Sequence, residues 1–420
     1  MRSELAMPAP RLRVVGPDEP SPEAVRARQE RQGRRALATL ALSTAILTAG
    51  GLVMVLSASS VASYAQFGSS FLYFQRQLVS AAIGAGAFLL ASKVRHQVWQ
   101  RAWAGMLAGT FILLLMVLHS PAGITAGGAA RWIQLGPVSI QPSELAKFAV
   151  IAGVASILAG NVRTLDREPL RWMVPILSLV GGVSLLVLLQ PDLGTMMIIA
   201  LTVFLLLFVA GVRLRLLATS AVIGGAIGLA LVFSQGYRKA RFLSFLHPWA
   251  DPKNTGYQIV QSLIALGSGH LFGVGLGASR QKWAYVPNAH TDFIFAILGE
   301  ELGLIGELIV LALFCALIWA GIRISLRAPD AFGRLLAAGI TGWLGLQAIV
   351  NLGAVTGIMP ITGVPLPFLS FGGSSLIVSL AATGVLFSIG RAGLPSAGRR
   401  PGSTRPAVRA DTGGRARAGA

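Results

Sequence analysis

Long apolar stretches divide the chain, and each is long enough to cross a lipid bilayer. The hydrocarbon core is about 30 Å thick and a helix rises about 1.5 Å per residue, so a spanning helix needs about 20 mainly apolar residues. We predict ten spans: Ala36–Ser57, Phe74–Ser92, Ala102–His119, Glu144–Gly160, Met173–Leu189, Leu193–Val212, Leu216–Phe233, Asp292–Ile322, Leu335–Ile358 and Ser375–Gly390. The sequence therefore predicts an all-α polytopic membrane protein with about ten transmembrane helices.

The composition agrees with this class of protein. The 420 residues are 54% hydrophobic and 12% charged, and the mean hydropathy is +0.69, far from the balance of a soluble domain. The net charge is +19, but the basic residues lie mostly in the tails and in short gaps between apolar stretches. This distribution indicates membrane topology and attraction to membrane lipids, and no nucleic-acid partner is predicted.

An even number of spans places both chain ends on one side of the membrane. Of the 35 Lys and Arg residues, 26 lie in the two tails and in alternate gaps, and eight lie on the opposite side. The positive-inside rule then predicts a cell-membrane protein with both termini in the cytoplasm. We expect disordered basic tails over residues 1–35 and 392–420, and a transmembrane domain over residues 36–391. Residues 234–291 form one large extracellular loop between spans seven and eight.

Asp251 is the acid that stands out in this loop. It lies in "FLHPWADPKNTGYQ", between prolines, and the loop also carries six basic residues, including Lys239 and Arg241. A positive surface with one acid suits an anionic ligand such as a phosphate, with the carboxylate left to accept a proton. Two simpler interpretations stay open: an Asp-Pro turn, and basic residues that face anionic lipid headgroups.

Other ionisable residues lie at span ends or inside spans. Glu144 and Lys147 share a helix face, either as an ion pair at a helix start or as the lining of a cavity. We expect Ser143 to cap the helix from Glu144 and Asp192 to cap the helix from Leu193.

The eighth span begins in "HTDFIFAILGEELG". Thr291 or Asp292 is expected to cap its helix, and Glu300 and Glu301 then lie about 12–14 Å deeper. Such acids are functional candidates, and a structural ion pair is the alternative. His247, His270 and His290 are spaced like no common metal signature, so no metal ligands are assigned.

Five motifs occur in order and together resemble the SEDS family (shape, elongation, division and sporulation). They are "RWIQLGPVSIQPSELAKF", "QPDLGT", "FLHPWADPKNTGYQIVQSLIALGSGHLFGVGLG", "HTDFIFAILGEELGLIG" and "PLPFLSFGGSS". The resemblance covers residues 37–391, and "GLGASRQKW" and "ARWIQLG" look more like the division member FtsW than the elongation member RodA.

The resemblance implies a peptidoglycan glycosyltransferase that polymerises lipid II for septal cell-wall synthesis and works with a class B penicillin-binding protein and other division proteins. By this resemblance the family's essential loop aspartate is expected at Asp251, and further family motif positions fall on Glu144, Lys147, His290, Asp292, Glu300 and Glu301. Many relatives have Glu where this chain has Asn288, so that position is not assigned a catalytic role.

We therefore expect Asp251 to act as general base toward the 4-hydroxyl group of an acceptor sugar. Arg131, Lys147, Lys239 and Arg241 are the candidates to stabilise the departing diphosphate. A divalent cation (Mg²⁺ or Mn²⁺) on the diphosphate is plausible, with its ligands unassigned. The alternatives are a flippase or transporter of lipid II, a lateral-wall polymerase of the RodA type, and a scaffold that only recruits division proteins.

Overall fold

The structure is a computed structural model that describes residues 22–395, except residues 120–122, 127–128, 136–137, 163, 166 and 284. The described helices are α1 (Pro22–Phe67), α2 (Leu72–Lys93), α3 (His96–His119), α4 (Pro142–Asn161), α5 (Pro169–Leu189), α6 (Leu193–Val209), α7 (Leu214–Phe233), α8 (Gly236–Leu246), α9 (Tyr257–Ser268), α10 (Ile294–Leu326), α11 (Ala331–Val355) and α12 (Gly373–Ala392). A 3₁₀ turn covers Pro248–Ala250, and three strands, β1 (Gly123–Ala126), β2 (Ala129–Leu135) and β3 (Val138–Ile140), form an antiparallel sheet.

The ten predicted spans are confirmed as helices, and α8 and α9 belong to the long loop. Within the described ranges, nine helices are long and apolar enough to cross a membrane, and the tenth, α6, has 17 residues. At about 1.5 Å per residue α6 is about 26 Å long, slightly shorter than the hydrocarbon core. It ends at Val209 instead of Val212, and Gly211 follows with a φ of 85°. That left-handed backbone ends the helix, because glycine adopts it without steric cost.

The centre of the bundle is formed by α4, α11 and α12. In each of these helices 72% of the most apolar 18-residue segment is buried, whereas the value for α7 is 6%. The most extensive contacts between helices are those of α12 with α2, of α1 with α10 and of α10 with α11. Helix α7 packs mainly against its chain neighbours α6 and α8, so most of its surface is not covered by the rest of the bundle.

The N-terminal tail is shorter than predicted, because residues 22–35 are helical. Helix α1 has 46 residues, which corresponds to about 69 Å, more than twice the thickness of the hydrocarbon core. Residues 1–21 and 396–420, also predicted as disordered tails, lie outside the described residues. The start of α1 meets the end of α12: a Cβ on Gly33 would stand 2.5 Å from Leu394 Cδ2. The start of α1 and the end of α12 therefore lie on the same side of the bundle.

Helix α10 is broken at Gly303, which has a φ of 66°. A chain segment between α9 and α10 returns to the break and supplies the missing backbone partners. Val274 N donates to Glu300 O (3.0 Å) and Leu304 N donates to His270 O (2.9 Å). A helix broken inside a membrane protein needs such partners, because unpaired backbone groups are costly in lipid.

Candidate functional site

Arg131 holds together two elements at the end of the bundle opposite the chain termini. It lies on β2, and its Nε atom donates to Gln190 O at 2.9 Å while Nη2 donates to Pro191 O. Both carbonyl groups belong to the short turn between α5 and α6. The guanidinium group thus fixes the sheet against this turn and brings a positive charge next to Asp192.

Asp192 caps α6, as predicted. Its Oδ1 atom accepts from Thr195 N at 3.0 Å, and its Oδ2 atom accepts from Thr195 Oγ1 at 2.9 Å and from Gln141 Nε2 at 3.2 Å. Gln141 precedes α4, so the starts of α4 and α6 meet at this buried carboxylate. The hydrogen bonds give Asp192 a fixed position.

Asp292 lies beside this cluster and does not cap a helix. Helix α10 begins at Ile294 with Phe293 at its N-cap and has no side-chain cap, so the predicted capping by Thr291 or Asp292 is wrong. The Asp292 main-chain oxygen accepts from Asn351 Nδ2 at 2.8 Å, which positions the residue. Its carboxylate makes no hydrogen bond to the described residues. A Cβ on Gly363 would stand 3.6 Å from Asp292 Oδ2, so the glycine leaves room beside the acid.

Burial and the nearby charges act on the pKa of Asp292 in different directions. Burial raises the pKa of Asp292 to about 6, while the positive charges of Arg241 and Arg131 lower it and the negative charge of Asp192 raises it. An acid of this kind is mostly ionised at physiological pH, yet it binds a proton more tightly than a solvated aspartate does. A strongly perturbed acid next to cations is typical of functional sites.

His290 packs against two aromatic rings close to Asp292. Its ring centroid is 4.8 Å from that of Tyr73 and 5.6 Å from that of Phe371, and Phe371 N donates to His290 O at 2.9 Å. Burial lowers the pKa of His290 to about 4, so the imidazole is neutral at physiological pH. We interpret His290 as an anchor of the segment that carries Asp292.

Asn288 has a backbone role in the same segment. Its φ is 57°, a left-handed conformation that asparagine tolerates better than most residues. Its carbonyl oxygen accepts from Thr291 N at 3.0 Å and from Phe293 N at 3.3 Å. The asparagine thus ends the loop with a tight turn just before Asp292.

Asp251 occupies a different environment, in an exposed turn of the long loop. Its Oδ1 atom accepts from Asn254 Nδ2 at 3.0 Å, and its Oδ2 atom accepts from Thr255 N at 3.3 Å and Thr255 Oγ1 at 3.2 Å. The backbone hydrogen bond from Thr255 is the main reason that the pKa of Asp251 is lower than usual. The structure therefore shows the turn that the sequence offered as the simpler interpretation.

None of the described basic side chains contributes to the lowered pKa of Asp251. The charge of Arg241 acts on Asp292, and Lys239 is exposed on α8. Trp249 and Pro252, which lie close to Asp251 in the chain, are also exposed. Asp251 stays a candidate for the base, and the structure adds Asp292 as a second candidate.

Glu144 and Lys147 form a buried ion pair at the core of the bundle. Lys147 Nζ lies 2.8 Å from Glu144 Oε1, and the two side chains are 2% and 1% exposed. The ammonium group also donates to Gln347 Oε1 at 2.8 Å and lies 5.0 Å from the centre of the Trp343 ring. The interactions of Lys147 therefore run between α4 and α11. Glu144 Oε2 is buried without a hydrogen-bond partner among the described residues.

Glu300 and Glu301 are buried and hold the returning segment in the break of α10. Glu300 Oε1 accepts from Arg280 N at 2.9 Å, and Ser279 Oγ donates to Glu300 Oε2. Glu301 accepts from Ser57 Oγ at 2.6 Å and lies 3.6 Å from Lys282 Nζ. Glu301 thus has an ion-pair partner, as the alternative interpretation of the sequence proposed, whereas Glu300 has hydrogen-bond partners only.

Several residues of the site were not found from the sequence. Gln347 and Asn351 are one helical turn apart in the otherwise apolar α11, and that pattern of amides was the available signal. Gln141 gave no signal, because its partner Asp192 is 51 residues away. The predicted cap Ser143 is wrong: α4 begins at Pro142 with Gln141 at the N-cap, and Ser143 Oγ is buried without a partner among the described residues.

Two carboxylates at the site could contribute to a cation site together with a substrate. Among the described residues there is no group of three or more His, Cys, Asp or Glu side chains placed to hold a metal ion. Asp192 and Asp292 are close enough to influence each other electrostatically. Mg²⁺ is commonly bound by one or two carboxylates plus substrate phosphates, so the donor set fits a cation that arrives with a phosphate.

Comparison with known proteins connects this geometry with a family. Residues 37–393 match the sequence model of the FtsW/RodA/SpoVE family, described as cell cycle protein. The chain is 44% identical over 353 residues to Stage V sporulation protein E of Bacillus subtilis, covering 84% of this chain and 96% of that protein. It is 45% identical over 355 residues to the probable peptidoglycan glycosyltransferase FtsW of Coxiella burnetii, with 84% and 95% covered.

Solved structures show the same fold. A chain from a peptidoglycan synthase complex, described as coordinating polymerization and crosslinking, superposes with a TM-score of 0.70 at 30% identity and covers 85% of this chain and 98% of that chain. Rod shape determining protein RodA of Thermus thermophilus superposes with a TM-score of 0.63 at 30% identity, with 85% and 97% covered. The helical membrane bundle is therefore shared over nearly the whole length of these relatives.

Proposed function

Because the chain belongs to the FtsW/RodA/SpoVE family of cell cycle proteins, we propose that it is a peptidoglycan glycosyltransferase that polymerises lipid II. The observation that carries this proposal is the Asp292 carboxylate, which has a pKa of about 6 and lies in the electrostatic field of Arg131 and Arg241. The name of the Coxiella relative, a probable peptidoglycan glycosyltransferase, supports the same activity.

The chemistry of polymerisation requires two things that this site can supply. The 4-hydroxyl group of the acceptor GlcNAc must lose its proton as the oxygen attacks the anomeric carbon of the donor sugar. The bond from that carbon to the diphosphate breaks, and the lipid diphosphate leaves with its negative charge. In our proposal the Asp292 carboxylate accepts the proton, and the guanidinium groups of Arg241 and Arg131 stabilise the leaving diphosphate.

Asp251 is the competing candidate for the base, and a pair of matched variants separates the two. Asp292→Asn removes the proton acceptor while keeping size and polarity, so polymerisation of lipid II should fall by about 10²–10⁴-fold. Asp251→Asn removes only a turn acceptor and should retain most of the activity. Both purified proteins, with the cognate transpeptidase, are assayed for glycan strands. Normal polymerisation by Asp292→Asn, or loss of activity confined to Asp251→Asn, would transfer the role to Asp251.

The proposal includes a divalent cation that binds together with the substrate diphosphate. Asp192 would help to hold Mg²⁺ or Mn²⁺ together with the substrate diphosphate, and the ion would supply positive charge to the leaving group. Chelation with EDTA and repletion with each ion, measured on wild type and on Asp192→Asn, tests this point. An equal response of both proteins to the ions would rule out Asp192 as a ligand.

The cellular role extends the proposal to partners and location. The similarity to a chain of a complex that couples polymerization and crosslinking supports a class B penicillin-binding protein as transpeptidase partner, together with other division proteins. The resemblance to FtsW favours the division septum, with RodA-type lateral-wall synthesis as the alternative, and the charge distribution favours cytoplasmic termini. A fluorescent fusion in growing cells distinguishes septum from lateral wall.

The same reconstituted system distinguishes synthesis from transport. Vesicles that contain the protein and lipid II should yield glycan polymer on the side of the Asp292 site. Movement of lipid II across the vesicle membrane without polymer would instead identify a flippase.

A further inference from the structure

A polar cavity lies at the opposite end of the bundle from Asp292. It lies between the start of α1 and the ends of α10 and α12, and it has a volume of about 370 Å³. We call it the terminal cavity and define it by Gln29, Gln32, Gly33, Arg323, Arg327 and Gly393. None of the described residues that line it is acidic, so its charged groups are two guanidinium groups.

Arg327 has hydrogen-bonding capacity that the described residues leave unused. Its Nη2 atom donates to Gln32 Oε1, but its Nη1 atom is buried and has no partner among them. A buried donor without an acceptor is costly, more so when it is charged.

The carbonyl groups at the helix ends do not serve as partners for the Arg327 side chain. Carbonyl groups at the C-termini of α10 and α12 attract cations, yet the one hydrogen bond that the Arg327 side chain makes to described residues goes to α1. The nearest acid on that part of α1, Glu30, is held by Arg34 at 2.7 Å. The unused donor therefore fits an acceptor from outside the described residues, and the positive charge of the guanidinium group favours an anionic one.

The position of the terminal cavity points to the membrane surface. The Arg323 guanidinium lies 5.5 Å from the centre of the Trp319 ring, and tryptophan is enriched at the level of lipid headgroups. Ile322 and Leu326 on the same helix are 50% and 71% exposed, as expected of residues that face lipid. A cavity at this depth is open to headgroups, and basic pockets between membrane helices bind anionic ones.

We propose that the terminal cavity binds the phosphate group of an anionic phospholipid, with Arg327 and Arg323 as its donors. Arginine suits this ligand because its planar fork of N–H groups matches phosphate oxygens. The acyl chains would lie along the exposed apolar face of α10. The bound lipid would join the N-terminal extension of α1 to the ends of α10 and α12.

Binding is measured on the purified full chain, by native mass spectrometry and by thermal unfolding with added phosphatidylglycerol, phosphatidylcholine or inorganic phosphate. We expect phosphatidylglycerol to bind in preference to phosphatidylcholine and to raise the unfolding temperature. Arg327→Gln should weaken phosphatidylglycerol binding by about tenfold or more, the usual size of one lost charged hydrogen bond. Arg215→Gln is the matched control, since Arg215 is exposed on the same side of the bundle and outside the cavity.

Three results would overturn the proposal. The first is equal phosphatidylglycerol binding by wild type and Arg327→Gln, and the second is an equal loss in Arg215→Gln. The third is displacement of the lipid by equimolar inorganic phosphate, which would assign the cavity to a free phosphate instead. If Arg327→Gln does not fold, Arg323→Gln carries the test, because Arg323 is exposed and its replacement should weaken the same preference in a folded protein.

Discussion

Asp292 and Asp251 show how the surroundings of a carboxylate determine what it can do. Asp251 accepts three hydrogen bonds in an exposed turn and has a lowered pKa, so it is ionised and holds protons weakly. Asp292 makes no side-chain hydrogen bond to the described residues, and burial raises its pKa to about 6. A carboxylate that titrates close to the working pH is the better general base.

The pH dependence of polymerisation distinguishes the two acids further. If Asp292 is the base, kcat/KM should fall on the acid side with a pKa of about 6, because the protonated acid cannot accept a proton. If Asp251 is the base, the fall should lie below the ordinary range of aspartate. The profile is measured with lipid II between about pH 5 and 8, where unfolding temperatures are recorded in parallel.

Protonation of Asp292 should not destabilise the fold, so acid unfolding through this residue would not explain the loss of activity at low pH. Its folded-state pKa lies above the unfolded value of about 3.9, so the group stabilises the fold below about pH 4 and this contribution is lost as the pH rises through about 6. Its effect on stability and its effect on activity therefore have opposite signs. A loss of activity that follows the unfolding temperature would contradict the assignment.

Variants of the Glu144–Lys147 ion pair test whether Lys147 binds the substrate or supports the fold. Lys147→Met leaves a buried acid without its partner and should destabilise the protein by about 3–5 kcal/mol. The double variant Glu144→Gln, Lys147→Met removes both charges and should recover most of this loss. Thermal unfolding measures the stability of each, and lipid II polymerisation measures the activity. Recovered stability without recovered activity would show that Lys147 serves the diphosphate.

The sequence could identify the acids of the site but not their arrangement. Asp192 was predicted correctly as a cap because capping depends on a residue three positions away. The electrostatic contact of Asp292 with Arg131, Asp192 and Arg241 joins residues far apart in the chain, and no local pattern encodes it. Asp251 was singled out from its neighbours in the sequence, which do not reveal that the charge of Arg241 also acts on Asp292.

Among the elements, the break in α10 departs most from the sequence-based prediction. The apolar pattern predicts one continuous span, but Gly303 has a φ of 66° and the segment from His270 to Gly275 fills the break. Glu300 and Glu301 sit at this junction as acceptors for Ser279, Arg280 and Ser57. The prediction failed here because the break is stabilised by a returning segment about 30 residues earlier in the chain. The apolar pattern of the span itself does not reveal such a contact.

Gly303→Ala tests this element directly. A Cβ at this position would stand 2.4 Å from Gly273 N, and a left-handed backbone is strained for alanine, so a loss of about 1–3 kcal/mol is expected. Gly50→Ala in α1 is the matched control, because a Cβ there meets nothing within 4 Å. Thermal unfolding in detergent compares both with wild type. Equal unfolding temperatures for the two variants would mean that the break is not required.

At the scale of the whole molecule, the ten apolar stretches were sufficient to predict the bundle, because a bilayer dictates span length whatever the packing. They could not predict how the spans pack. Burial separates α4, α11 and α12 at the centre from α7, of which 6% is buried. Helix α7 also leads directly into α8, which carries Arg241. Movement of α7 would therefore change the distance of Arg241 from Asp292 and could open the site to a lipid-linked substrate.

Distance measurements by electron spin resonance test this unequal attachment. Cys315, the one cysteine of the chain, is exposed on α10 and accepts one spin label. The second label is placed at Ile223 in α7 or at Leu177 in α5, which are 60% and 61% exposed and lie at similar positions along their helices. In nanodiscs the pair with Ile223 should give the broader distance distribution, because α7 packs mainly against α6 and α8 whereas α5 packs against α3, α4 and α6. Distributions of equal width would mean that lipid holds α7 as firmly as the protein core holds α5, and substrate entry would then need another route.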